Sequence, residues 1–163
     1  MSDMQRREVF SSFASKFKKV ENSAIRPPYN EDVTLFHQEC PNCEDKPCVT
    51  VCEEDIIKID EEGLPYISFQ DSGCTYCDKC AVSCGKGVLN LTCKDKFIKA
   101  TVSIVTSECL AWKEVVCSSC LDACDERAIK FFGMFRPTIQ NDICTSCGFC
   151  RSVCPTNALA FKL

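Results

Sequence analysis

Sixteen of the chain's 17 cysteines fall into four groups of four, which begin at Cys40, Cys74, Cys109 and Cys144, at intervals of 34, 35 and 35 residues. The groups read CPNCEDKPCVTVC (Cys40, Cys43, Cys48, Cys52), CTYCDKCAVSC (Cys74, Cys77, Cys80, Cys84), CLAWKEVVCSSCLDAC (Cys109, Cys117, Cys120, Cys124) and CTSCGFCRSVC (Cys144, Cys147, Cys150, Cys154). Cys93 stands outside them. A fixed period of this length means that one supersecondary unit is used more than once. Of the 163 residues 45% are hydrophobic, but that share counts the cysteines. Without them the stock of core-forming side chains is modest. A unit of roughly 60 residues needs disulfides or metal to supplement so small a core.

Disulfides suit secreted chains. The first residues, MSDMQRREVFSSFASKFKKV, carry Arg6 and Arg7 with no apolar run behind them, and Lys16, Lys18 and Lys19 stand where one would lie. This is neither a secretory signal nor a complete twin-arginine signal. No later stretch approaches the ~20 apolar residues of a membrane span. The expectation is a soluble protein of the reducing cytoplasm, where clustered cysteines mean metal or redox chemistry.

The spacing narrows the metal. Cys-x2-Cys-x2-Cys-x3-Cys-Pro, present at Cys144–Pro155, is the bacterial iron–sulfur run, in which three thiolates hold one cubane cluster and the fourth reaches the cluster of a partner group. Zinc sites draw on Cys-x2-Cys pairs from separate knuckles, and three cysteines within seven residues do not divide into such pairs. Four groups therefore predict four [4Fe–4S] clusters. Sequential pairing gives Cys40, Cys43, Cys48 and Cys84; Cys74, Cys77, Cys80 and Cys52; Cys109, Cys117, Cys120 and Cys154; and Cys144, Cys147, Cys150 and Cys124. A nested pairing, first group with fourth and second with third, is the alternative; strand order favours the sequential one. The first group departs from the run by x4 between its second and third cysteines, the third by x7 between its first two.

Between the groups, DIIKIDEEGLPYIS and RAIKFFGMFRPTI each read as strand, turn, strand. GVLNLT, KATVSIV and the terminal ALAFKL each read as one strand, and a strand is expected to lead into each unit's first cysteine group. Short helices are expected just after each fourth cysteine. The fold class is thus α+β: two tandem ferredoxin-like units of βαββαβ type, 31–93 and 94–163, preceded by a basic amphipathic segment and linker, 1–30. In that segment Phe10, Phe13, Ala14, Phe17 and Val20 recur at helical spacing. With Arg6 and Arg7 they form a candidate surface for a partner or the inner membrane face, although a helix packed on the chain's own body, or a frayed terminus, is the plainer reading of the pattern. Pro27 and Pro28 end any such helix and start the linker.

Residues 1–28 carry a net +3 of the overall −4, which leaves −7 on the remainder. An acidic body excludes nucleic acid as a natural partner. No nucleophile, base and acid constellation appears, and no phosphate-cradling glycine loop, so the reading is a carrier of single electrons and not an enzyme. His37 reads as solvated, Trp112 as packing within the x7 insert, and Cys93 as a buried spare thiol.

These residues resemble the bacterial ferredoxins over residues 34–163. Arg6-Arg7, IRPP at Ile25–Pro28, CLAW at Cys109–Trp112 and FRPTI at Phe135–Ile139 extend the resemblance, more closely, to the NapF-type ferredoxin proteins of the periplasmic nitrate reductase system. The x4 of the first group is similar instead to iron–sulfur subunits of membrane-associated molybdoenzymes. The NapF resemblance implies a cytoplasmic four-cluster protein that interacts with the molybdenum-containing catalytic subunit before its export, in maturation or electron supply. A stably bound electron-transfer subunit of a larger oxidoreductase is the alternative.

Overall fold

Short spacings between cysteines leave room only for short elements. In the computed structural model, which describes residues 24–94 and 96–163, they run in this order: α1 (Thr34–Glu39), α2 (Pro47–Thr50), β1 (Ile57–Ile59), β2 (Pro65–Ile67), α3 (Lys79–Val82), β3 (Thr101–Ile104), a 3-10 turn (Ala111–Lys113), α4 (Ser119–Asp122), β4 (Ile129–Phe132), β5 (Phe135–Ile139), α5 (Phe149–Ser152) and β6 (Leu159–Lys162). Arg6, Arg7, Phe10, Phe13 and Phe17 lie outside the described residues. No described helix is long and apolar enough to cross a membrane.

The two expected hairpins are present. β1 pairs antiparallel with β2, Ile57 opposite Ile67, and β4 with β5, Ile129 opposite Ile139. Asp60 closes the first hairpin, its Oδ1 accepting the N–H groups of Glu62 and Leu64. Gly133, at φ 65°, turns the second. β3 pairs antiparallel with β6, from Thr101 opposite Lys162 to Ile104 opposite Leu159. Two apolar clusters result, and thiols belong to both. Phe36, Leu64, Ile56 and Ile57 bury with Cys40 and Cys80. Val102, Ile129 and Leu159 bury with Cys150.

The helices sit elsewhere than expected. α2, α3, α4 and α5 each contain a group's third cysteine and end before its fourth. A helical turn advances the chain by about 1.5 Å per residue, so four residues carry the fourth thiol clear of the third. Beyond each fourth cysteine the chain forms a turn. Asp55, Gly87, Arg127 and Asn157, each three residues past one, have positive φ, and each N–H donates to that cysteine's carbonyl. Helix cannot continue through a left-handed residue, and the chain turns away instead.

Three further expectations fail in the first half. GVLNLT forms no strand, α1 and not a strand leads into Cys40, and Pro27–Pro28 is no spacer. Residues 27–30 are buried and lie where β3 lies in the second half. The Tyr29 carbonyl accepts the Asn90 N–H at 2.8 Å, and Asn30 Nδ2 donates to the Val88 carbonyl at 2.7 Å. Prolines lack the N–H a ladder requires, so side chain and isolated backbone bonds replace a strand pair. α1 forms because Asp32 Oδ1 accepts both the N–H and the hydroxyl of Thr34 and Phe36 is fully buried.

Arg26 pins this segment, donating to Asp60 Oδ2 at 3.1 Å and to the Pro65 carbonyl at 2.9 Å. Burial alone would raise the Asp60 carboxyl, but the Leu64 N–H and Arg26 hold it below its ordinary value. Its stabilisation is therefore present above the unfolded-state pKa and lost as pH falls through the lower folded value. We expect Arg26→Ala to cost about 2 kcal/mol and to weaken the acid dependence of stability, read as anaerobic urea midpoints across the acid range. Gly87, at φ +68°, faces open space, whereas a Cβ on Gly148, at φ +91°, would lie 2.0 Å from Phe69 Cδ1. Gly87→Ala should cost about 1 kcal/mol, the backbone penalty alone, and Gly148→Ala at least about twice that because the Phe69 ring must also move; the same unfolding measurement separates them.

Candidate metal centres

Four thiols face each of three spaces of similar size. Cys40, Cys43, Cys48 and Cys84 surround one of about 390 Å³, walled by Phe36, Pro47, Val88 and Leu89. Cys52, Cys74, Cys77 and Cys80 surround one of about 430 Å³, walled by Val51, Ile56, Ile57 and Ile67. Cys124, Cys144, Cys147 and Cys150 surround one of about 370 Å³, walled by Val102, Ala128, Ile129 and Ile139. In the remaining quartet, burial and then the charges of Cys109, Cys117 and Cys154 raise the Cys120 thiol to about 11. The helical turns bring about this exchange, with the first three thiols of a group facing one quartet and the fourth delivered to the neighbour. α2 packs on α3, and α4 on α5.

The sixteen grouped cysteines form no disulfide. Nor do three or more His, Cys, Asp or Glu side chains among the described residues converge as a site for a single metal ion. The thiols of a quartet stand around a shared space, a layout suited to a cluster with its metal ions at separate corners.

Electrostatics point the same way. Burial, ahead of all other causes, raises Cys48 to about 11 and Cys74, Cys80 and Cys150 to about 12. Each is raised further by thiols of its own quartet. Cys40 and Cys144 are also raised, again chiefly by burial. Four thiolates cannot share such walls without positive charge between them, and iron ions supply it. The donor set thus fits an iron–sulfur cluster, and filling the space would replace absent core.

Backbone donors are placed for thiolate sulfur. The N–H groups of Tyr76, Leu89, Ala128 and Ala158 lie 3.4, 3.4, 3.3 and 3.2 Å from the Sγ atoms of Cys74, Cys84, Cys124 and Cys154. The last three come after the left-handed turn beyond a fourth cysteine, so that turn both redirects the chain and aims a donor at sulfur. In the bulge of the first group, Lys46 donates to the Cys40 carbonyl, and its charge offsets part of the rise of the Cys40 thiol. Trp112 packs through its Nε1–H onto the Pro137 carbonyl at 3.1 Å. His37 is exposed, and Cys93 is 5% exposed and faces none of the three spaces.

Sequence reasoning missed Lys46, the left-handed positions and the tyrosines Tyr29 and Tyr76. Asp55, Gly87 and Asn157 belong to the residue types that favour positive φ, and that signal was available at three of the four turns. Tyr76 stands two residues after Cys74 as Ser146 does after Cys144, both with positive φ, a correspondence visible once the second and fourth groups are laid side by side.

Comparison with known proteins agrees with this chemistry. Residues 115–158 match the 4Fe-4S dicluster domain family. The chain is 28% identical to the ferredoxin-type protein NapF of Escherichia coli K12, over 96% of this chain and 93% of that protein. It is 28% identical to NapF of Haemophilus influenzae, over 99% and 96%, and 27% identical to the ferredoxin-type protein NapG of E. coli K12, over 85% and 69%. With its thiol quartets, its 4Fe-4S dicluster match and a likeness that runs nearly end to end, the chain is similar to the NapF ferredoxin-type proteins.

Proposed function

We propose that the chain carries four [4Fe–4S] clusters in two tandem ferredoxin-like units and passes single electrons for the maturation of, or electron supply to, the catalytic subunit of a periplasmic nitrate reductase in the cytoplasm. The observation that carries this reading is the convergence of thiols in fours. Cys40, Cys43, Cys48 and Cys84 would hold the first cluster, and Cys74, Cys77, Cys80 and Cys52 the second. Cys109, Cys117, Cys120 and Cys154 would hold the third, and Cys144, Cys147, Cys150 and Cys124 the fourth. The second unit, 94–163, runs β3–α4–β4–β5–α5–β6 apart from its 3-10 turn. The first, 31–93, has the middle elements of the same series, with residues 25–30 added at its edge.

Bound in these quartets, the clusters would supply one-electron chemistry. The protein's part is to exclude water with the isoleucine and valine walls and to direct N–H groups at sulfur, both of which act on potential. The nitrate reductase client is supported by the full-length likeness to NapF proteins and by the further likeness to NapG. The basic leader, with Arg6, Arg7, Phe10, Phe13 and Phe17, is the proposed contact for that partner or for the inner membrane surface.

Anaerobically prepared protein should contain about sixteen iron and sixteen sulfide per chain, and Cys93→Ala should keep them all. Cys147→Ala should lose about four of each. Half the wild-type content, or a loss on Cys93→Ala, would contradict the ligand assignment. A client precursor that co-purifies at low salt and is released at high salt would mark a carrier or assembly factor; fixed stoichiometry through high salt would mark a permanent subunit.

A further inference from the structure

The loops that meet between the two halves belong to the second and fourth cysteine groups. The Cys74 N–H donates to the Cys147 carbonyl at 2.6 Å. The Tyr76 hydroxyl donates to the Thr145 carbonyl at 2.5 Å and accepts the Ile98 N–H at 3.3 Å. Ser146 Oγ donates to the Ala100 carbonyl at 2.5 Å. Gly73 makes the approach possible, since a Cβ there would lie 2.6 Å from the Phe149 nitrogen and 2.8 Å from the Cys147 carbonyl oxygen. A ring contact, Phe69 to Phe161 at 4.5 Å, closes the flank.

Within each half the neighbours are different. α2, which carries Cys48, packs on α3, which carries Cys80, and α4, which carries Cys120, packs on α5, which carries Cys150. The first quartet therefore adjoins the second, and the third adjoins the fourth. Among the described residues, Glu31 accepts the Lys94 N–H and the Lys99 ammonium near the joint, and the remaining bonds and the ring contact that join the halves fall on the second and fourth groups and their flanks, away from the loops 40–48 and 109–120.

Taking the four-cluster reading as given, we infer that the four quartets form one electron path in the spatial order first, second, fourth, third, joined at the Cys74–Cys147 backbone contact, with its two ends at the first and third quartets. The order differs from chain order because the even-numbered groups face each other. One electron enters at an end from a one-electron donor protein and leaves at the other to a one-electron acceptor. At each step one cluster is oxidised from the 1+ to the 2+ level and its neighbour reduced from 2+ to 1+, with no bond made or broken. The two inserts, x4 in the first group and x7 in the third, both fall at the ends, where partners dock, while the two uninterrupted loops face inward and pack.

The test uses the intact chain, anaerobically reduced with a low-potential reductant and studied by EPR. In the wild type every cluster has a paramagnetic neighbour. Cys77→Ala removes the second cluster and should leave the first as a magnetically isolated signal; Cys147→Ala should isolate the third in the same way. Cys43→Ala and Cys117→Ala each remove an end and should leave no isolated signal. An isolated signal in all four variants, or in the opposite two, would overturn the order. Iron content separates this result from a failure of the four-cluster reading itself, because wild type then falls short of about sixteen iron per chain. Should a cysteine variant lose more than one cluster, Gly73→Ala decides with all ligands present. Loss of the coupling between halves at full iron content supports the contact, and unchanged coupling refutes it.

Discussion

Mutual repulsion and desolvation of closely set thiolates is the constraint around which the chain is arranged. A buried thiol such as Cys150, raised to about 12, does not ionise at neutral pH, and three neighbours of the same kind make ionisation harder. Folding such a quartet without metal leaves a hole walled by isoleucine and valine, at the cost that attends any core cavity. Iron and sulfide remove both penalties together, since they neutralise the thiolates and fill the space. Ligation is then part of the folding free energy, and the apolar residues need only seal what the sulfur has assembled.

That division of labour explains why the regular structure is so slight. Strands of three to five residues and helical segments of three to six would not persist alone in water. They persist as struts between quartets. Each turn from a third to a fourth cysteine hands a thiol from one quartet to the next, and the left-handed residue three positions later sends the chain into strand or loop. Asp55 and Arg127 hold that conformation despite the steric cost to a residue with a Cβ, which indicates how tightly ligand position is enforced.

Much of this was legible in the residues. The cysteine spacing, the two hairpins at DIIKIDEEGLPYIS and RAIKFFGMFRPTI and the strands β3 and β6 follow from composition and period. The dicluster match and the NapF likeness bear out the iron–sulfur and ferredoxin character. The rest depended on partners distant in sequence. GVLNLT has strand composition, but its neighbour across the sheet is IRPPYN, and prolines cannot supply a ladder. The short helices were expected past each fourth cysteine and lie before it, because four residues carry no amphipathic period and their position is set by where the fourth thiol must go. The meeting of the Cys74 and Cys147 loops depends on Gly73, whose need for a bare α-carbon shows only when Phe149 is in place.

The two halves also differ in a way that bears on how they join. In the second half β3 and β6 pair along four residues, and Phe161 on β6 turns its ring to Phe69 of the first half. In the first half the corresponding edge is the buried Pro27–Asn30 segment, fastened by Arg26 and by single hydrogen bonds. A full strand there would present a long edge able to pair with other chains, and prolines remove its donors. The Tyr29 hydroxyl, from this same segment, donates to the Tyr76 carbonyl at 3.0 Å, while the Tyr76 hydroxyl reaches across to Thr145. The irregular edge is thereby tied to the loop that meets the other half. The same prolines that protect the first unit's edge thus hold the tyrosine that braces the contact between the second and fourth thiol quartets.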